Sequence, residues 1–63
     1  MHYEDRLLKL REVVVANVND EFRYKVGEKV RELGYLDVTD FVEAKPREAH
    51  LAEVERLVAD SSR

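Results

Sequence analysis

The sequence contains no cysteine, so neither a disulfide nor a thiolate metal site can hold this chain together. Its 63 residues allow one domain at most, which we place over residues 1–63. A chain this short buries only about 60% of the surface that its unfolded form exposes. Small domains therefore rely on disulfides, metal or oligomerisation. With disulfides and thiolate sites excluded, we expect oligomerisation, most simply a homodimer.

Glycine and proline are scarce, with two and one respectively, whereas 44% of the residues are hydrophobic. This composition is unlike that of a disordered chain. No apolar run approaches the roughly 20 residues of a membrane span. The chain begins with His2, Glu4 and Asp5 where a signal peptide would carry basic and then apolar residues. We therefore expect a soluble, cytoplasmic protein that contacts no membrane.

The net charge of −3 is concentrated in the second half of the chain. Acidic and basic residues balance over residues 1–35, whereas residues 36–63 hold four basic and seven acidic side chains. A nucleic-acid-binding protein normally shows a basic footprint, so such a footprint would lie in the first half. The alternative is that these charges are ordinary solvated helix faces.

The clearest helix begins at Asn19 or Asp20 and ends near Leu33. The Asn19 side chain can accept a hydrogen bond from a free amide of the first turn, and Gly34 can end the helix in a left-handed conformation. Its apolar stripe, at spacings of four, four and three positions, consists of Phe22, Val26, Val30 and Leu33.

A second helix is predicted over residues 46–60, because proline suits a first helical turn and Pro46 stands at its start. Its apolar stripe consists of Leu51, Val54, Leu57 and Val58. Between the two helices, Asp37 and Asp40 form an imperfect capping box that predicts a short helix. A strand over Leu36–Val42 remains the alternative.

The segment Val13–Val18 fits two structures. Its β-branched residues favour a strand. The same residues also continue a helical spacing from Tyr3 through Leu7, Leu10, Val14 and Val18, so that residues 3–33 could form one helix or two. Three consecutive valines and the asparagines at 17 and 19 argue against unbroken helix, and we favour the strand.

With the strand, residues 12–43 resemble the ribbon-helix-helix family of dimeric DNA-binding proteins. The family's strand corresponds to Val13–Val18, and the start of its first helix corresponds to Asn19–Phe22. The turn corresponds to Gly34–Tyr35, and the start of the second helix corresponds to Asp37–Val42. The resemblance implies a mainly α fold with one short β-strand, in which two chains pair their strands into a ribbon that enters the major groove. The predicted fold is such a homodimer with an extra C-terminal helix.

The resemblance also implies roles for single residues. Alternate strand side chains would face DNA, which places Val13, Val15 and Asn17 at the bases, with Asn17 able to bond adenine. Arg11 and Thr39 would contact phosphates. The residues predicted for the core and dimer interface are Val14, Ala16, Val18, Phe22, Val26, Val30, Phe41 and Val42.

Two departures from the family stand out. The groove-facing strand positions lack basic residues, and Pro46 falls where the second helix of the family continues, although proline there costs about 3 kcal/mol. The helix over 46–60 is then an appended acidic element, and we expect it to bind a protein partner through Leu51, Val54, Leu57 and Val58. The predicted function is a small dimeric DNA-binding transcriptional regulator, such as the antitoxin of a toxin–antitoxin pair.

Two other architectures stay open. In an all-α helical hairpin or bundle, the chain would be a protein–protein interaction or assembly module without nucleic-acid binding. In a β-α-β-α arrangement, Val13–Val18 and Leu36–Val42 would both be strands and would need a partner to complete their sheet.

Little in the sequence points to enzymatic chemistry. His50 and Glu53 lie one helical turn apart, but a metal site needs further ligands from other segments. Glu43 and Glu48 flank Pro46 without a pocket that would shift their pKa values apart. No glycine-rich phosphate loop or nucleophile motif is present. We expect no enzyme activity, no cofactor and no metal.

Overall fold

A computed structural model describes residues 2–61, and these residues form four α-helices. The helices are α1 (Tyr3–Ala16), α2 (Asp20–Glu32), α3 (Val38–Glu43) and α4 (Glu48–Ser61). No strand occurs among the described residues. The predicted fold with a short β-strand is therefore wrong, and so is the β-α-β-α arrangement. The all-α alternative fits.

The segment predicted as a strand completes α1 instead and then turns toward α2. The reason lies in the helical stripe on α1, where Leu7, Leu10 and Val14 are all at most 6% exposed. Burial of this stripe against the other helices outweighs the modest β-preference of three consecutive valines, because strand propensity is strongly context-dependent. Without a strand, the described residues contain no ribbon that could pair with a second chain.

Two asparagines separate α1 from α2. The Asn17 side chain accepts a hydrogen bond from the Asn19 amide at 2.8 Å, which supports the extended turn between the helices. The Asn19 side chain accepts from the Phe22 amide at 3.2 Å and caps α2. The predicted cap at Asn19 is confirmed, and residues 3–33 form two helices instead of one.

The end of α2 is a Schellman motif. Gly34 donates to the Arg31 carbonyl at 3.0 Å, and Tyr35 donates to the Val30 carbonyl at 3.1 Å. Gly34 has a φ of 102°, a conformation that glycine adopts without a Cβ penalty. The prediction that Gly34 ends this helix is confirmed, and the turn directs Tyr35 back toward the core.

A modified capping box starts α3. The Asp37 side chain accepts from the Asp40 amide at 2.8 Å. The Asp40 side chain accepts from the amide of Leu36 at 3.0 Å, one residue before the position that a regular capping box uses. These two bonds fix a helical turn, so the alternative of a strand over Leu36–Val42 is wrong.

Helix α4 begins two residues later than the proline predicts. Pro46 is buried in the turn that precedes the helix. The carbonyl of Arg47 accepts from the amides of His50 and Leu51, at 3.0 and 3.1 Å, and so receives the first hydrogen bonds of the helix. The proline thus ends the preceding segment rather than opening α4.

All four helices contribute to one hydrophobic core. Its buried residues are Leu7, Leu10, Val14, Phe22, Val26, Val30, Phe41, Leu51, Val54 and Val58. Of the residues predicted for the core, Val42 is partly buried against it, whereas Ala16 and Val18 are exposed, Val18 by 91%. Their place in the predicted core depended on side chains that alternate between the two faces of a strand. Side chains do not alternate in this way along α1 and the linker after it.

Helix α4 packs against both α1 and α2 and belongs to the core. Leu51 and Val54 are fully buried, Val58 is 8% exposed, and Leu57 packs partly buried at the edge. These are the four residues predicted to bind a partner. In this fold they pack in or against the protein's own core.

Candidate protein-binding surface

The residues predicted to contact DNA do not share one face. Successive helical residues are rotated by about 100°, so alternate residues point to different sides. Val13 packs against the core, whereas Val15 is exposed. Asn17 lies in the linker after α1, and Thr39 is exposed on the six-residue helix α3. Only Arg11 and Val15 come together, in one depression on α1.

Two aliphatic side chains on α1 lie outside the core stripe and face solvent. Leu8 is 56% exposed and Val15 is 62% exposed. They are seven residues apart, which is close to two helical turns, so they lie on the same side of the helix. Arg11 and Glu12 lie between them, and the four residues line one shallow depression. We call Leu8, Arg11, Glu12 and Val15 the α1 outer face.

A second depression adjoins the α1 outer face on the side of α3. It is lined by Leu7, Leu8 and Val42, with Glu4 and Lys45 at its polar edge. The Lys45 ammonium lies 3.3 Å from a Glu4 carboxylate oxygen and pairs with it. Because Leu8 lines both depressions, the two lie next to each other on α1.

The charges of the α1 outer face have no partner within the described residues. Neither Arg11 nor Glu12 forms an ion pair there. Arg11 follows Leu8 by three residues and Glu12 follows it by four, so the two charges lie on opposite sides of the line from Leu8 to Val15. This surface therefore offers a protein partner an apolar centre that is flanked by one positive and one negative charge.

Another charged group on α1, that of Arg6, has a structural role. The guanidinium of Arg6 donates to both oxygens of Glu48, at 2.8 and 2.7 Å, and to both oxygens of Glu55. The hydrogen bonds to Glu55 and then Glu48 raise the pKa of Arg6 above its ordinary value. These bonds join α1 to α4 by tying the Arg6 guanidinium to two carboxylates.

A cluster of rings lies where the α2–α3 turn meets α4. The Tyr35 hydroxyl is 3.1 Å from His50 Nδ1, and the Tyr35 ring packs edge-on against Phe41 with ring centroids 4.9 Å apart. The nearby Tyr3 hydroxyl is buried and has no hydrogen-bond partner. Burial, followed by the neighbouring Tyr35 and Glu48, raises the pKa of Tyr3.

We expect Tyr3→Phe to stabilise the protein by about 1 kcal/mol, because it removes a buried hydroxyl that forms no hydrogen bond. The raised pKa means that the folded protein holds the phenol proton more tightly than the unfolded chain. The free energy of unfolding of the parent protein therefore decreases as the pH rises above the ordinary value of 10.0. The contribution of Tyr3 to this decrease is absent in the variant.

Urea denaturation at neutral pH and between about pH 9 and 11 measures both effects. Tyr24→Phe is the matched control, because Tyr24 is 64% exposed and its change should leave stability unaltered. A loss of stability in Tyr3→Phe would contradict the prediction.

The residues considered for metal or acid–base chemistry do not form such a site. Among residues 2–61, no group of three histidine, aspartate or glutamate side chains converges. His50 Nδ1 is engaged by Tyr35, and Glu48 is engaged by Arg6. The Glu43–Glu48 carboxylate pair is therefore not available as two free carboxylates.

The sequence interpretation missed Leu8 and Val15 as exposed apolar residues. The signal was present, because both lie off the helical stripe of Tyr3, Leu7, Leu10 and Val14. It becomes visible only when residues 13–16 are taken as helix, since a strand places Val15 at the bases of DNA.

Within the described part of the chain, no helix is both long and apolar enough to cross a membrane. Comparison with known proteins yields no relative: no protein-family model, no curated protein and no solved structure matches this chain.

Proposed function

We propose that this chain is a small helical protein-interaction module, which binds another protein chain through the α1 outer face. The observation that carries the proposal is the pair Leu8 and Val15, each more than half exposed on the same side of one helix. Complete burial of a leucine or valine side chain is worth about 1.5–3 kcal/mol. Covering both therefore supplies a useful share of the free energy of a protein contact.

The other apolar residues of the chain favour this choice of surface. The stripe on α4 is occupied by the protein's own core. Val18, Tyr24 and Leu36 are exposed, but they lie in a linker, on α2 and in a turn, apart from one another in the sequence. The α1 outer face is the place where exposed aliphatic side chains are arranged along a helix, which is the usual element of helix-mediated recognition.

The expectation of a DNA-binding regulator, and of an antitoxin in particular, stays a prediction without an element to support it. It placed Val13, Val15 and Asn17 together on one side of a strand. In this fold Val13 and Val15 point to different sides of α1, and Asn17 lies in the linker after it. The one cation of the α1 outer face, Arg11, stands beside Glu12. A surface of balanced charge with an apolar centre suits protein better than a phosphate backbone.

The proposal is tested by photo-crosslinking in the cells that express the chain. A p-benzoylphenylalanine at Val15, in the full-length protein, should give covalent adducts of defined mass after irradiation. The control carries the same amino acid at Ala52, which is exposed on α4. Adducts of equal yield at both positions, or no adduct at Val15, would overturn the proposal.

A further inference from the structure

We infer that the α1 outer face binds a second copy of this chain, with the two α1 helices parallel and in register. This inference rests on the proposed function and names its partner. The argument comes from the placement of two charges around an apolar line, and it selects both the partner and its orientation.

The α1 outer face is self-complementary under one kind of twofold symmetry. Consider an axis that runs parallel to α1 and passes between two copies. It brings Leu8 against Leu8 and Val15 against Val15 of the second copy. It also brings Arg11 of each copy to the side on which the other copy presents Glu12, because the two charges lie on opposite sides of the apolar line. The dimer then contains two reciprocal Arg11–Glu12 pairs, as in parallel helix pairs with charges beside the seam.

The antiparallel arrangement does not have this property. A twofold axis perpendicular to both α1 helices leaves each charge on the same side of the contact between them. When it passes midway between Arg11 and Glu12, Leu8 meets Val15 of the second copy. Arg11 is then beside the other Arg11, and Glu12 is beside the other Glu12. Like charges at such positions are unfavourable, so the charge pattern selects the parallel pair.

The charges one heptad earlier also meet in this pair. Glu4 and Asp5 stand seven residues before Arg11 and Glu12, on the same two flanks of α1, so Glu4 comes beside Asp5 of the second copy. The charge of Glu4 is balanced by Lys45, whose ammonium lies 3.3 Å from its carboxylate. Arg6 is held by Glu48 and Glu55. Arg11 and Glu12 are thus the charged groups of the α1 outer face that remain to be satisfied from outside the chain.

The size of the contact sets its strength. Helix α1 has 14 residues and is about 21 Å long. Two such helices side by side bury less than the roughly 1,200 Å² at which stable protein interfaces begin. We therefore expect a reversible, concentration-dependent dimer, which is detected at high protein concentration.

Cysteine crosslinking tests the orientation cleanly, because the chain has no native cysteine. In the parallel pair, Leu8→Cys and Val15→Cys each place two identical residues across the axis, and both variants should form disulfide-linked dimers under mild oxidation. In the antiparallel pair centred between Arg11 and Glu12, identical residues at either position are separated by about 10 Å along the helix, too far for a disulfide. Leu36→Cys is the control and should stay monomeric.

Sedimentation equilibrium of the purified chain tests the energetics. Leu8→Ser should weaken dimerisation by about tenfold or more, because two leucine contacts are lost. Leu36→Ser, at a leucine that is 77% exposed, should leave it unchanged. Arg11→Gln should weaken the parallel dimer, which loses both ion pairs, whereas it would tighten an antiparallel dimer by removing repulsion. Far-UV circular dichroism checks that each variant remains helical.

The outcomes separate this inference from the proposed function. A chain that stays monomeric at millimolar concentration, yet gives photo-adducts at Val15 with a different protein, overturns the second-copy partner and retains the interaction module. The absence of any adduct at Val15 overturns the module itself. Tighter dimerisation of Arg11→Gln, or a disulfide at only one of the two positions, overturns the parallel in-register arrangement.

Discussion

Replacing Phe41 with alanine should remove a large part of the protein's free energy of unfolding. The loss expected from a buried phenylalanine is about 3–5 kcal/mol. A domain of this length has a total free energy of unfolding of roughly 3–9 kcal/mol. Phe41 is fully buried, and it is the buried residue of α3. Its ring also supports Tyr35, so the α2–α3 turn loses its packing together with α3.

Thermal and urea denaturation followed by circular dichroism measure this loss. Val42→Ala is the matched control, because Val42 stands next to Phe41 on the same helix but is only partly buried. We expect its destabilisation to be well below that of Phe41→Ala. Equal effects of the two substitutions would show that α3 is not anchored by the Phe41 ring.

Ending the chain after Lys45 should abolish the fold altogether. The truncation removes α4, and with it the buried residues Leu51, Val54 and Val58. It also leaves Arg6 without either of its carboxylate partners. The remaining helices would expose the apolar stripes of α1 and α2 to water, and helices of 13 or 14 residues are marginal on their own.

The truncated chain should therefore show a narrow range of amide proton shifts in a ¹H–¹⁵N spectrum and little helical signal. A chain ending after Ala59 is the control and should keep the dispersed spectrum of the intact chain, since Val58 is the last buried residue among those that the structure describes. A folded 1–45 fragment would instead mean that residues 46–60 are an appended helix.

The helices whose signals are local could be predicted from the sequence. Helix α2 has a capping asparagine, a regular apolar stripe and a terminating glycine within 16 residues. Each of these acts on neighbouring backbone groups. The apolar stripe of α4 was equally clear, and only its start was displaced, because Pro46 satisfied the rule for a first helical turn without standing in one.

The segment from Val13 to Val18 could not be decided in this way. Its valines favour a strand, and its spacing also fits a helix. The deciding factor is the burial of Val14 beside Leu7 and Leu10 against helices that come later in the chain, and no local signal contains that contact. The candidate site depended on the same decision, because Leu8 and Val15 become neighbours only on a helix.

The Arg6 contacts with Glu48 and Glu55 connect residues 42 and 49 positions apart, and this separation governs when the protein can fold. Contacts between distant positions form late, because a large loop must close first. During synthesis, α1 leaves the ribosome well before the helix that covers it. Its stripe of Leu7, Leu10 and Val14 then stays open to chaperones and to other nascent chains. We expect folding to be completed only after α4 has been made.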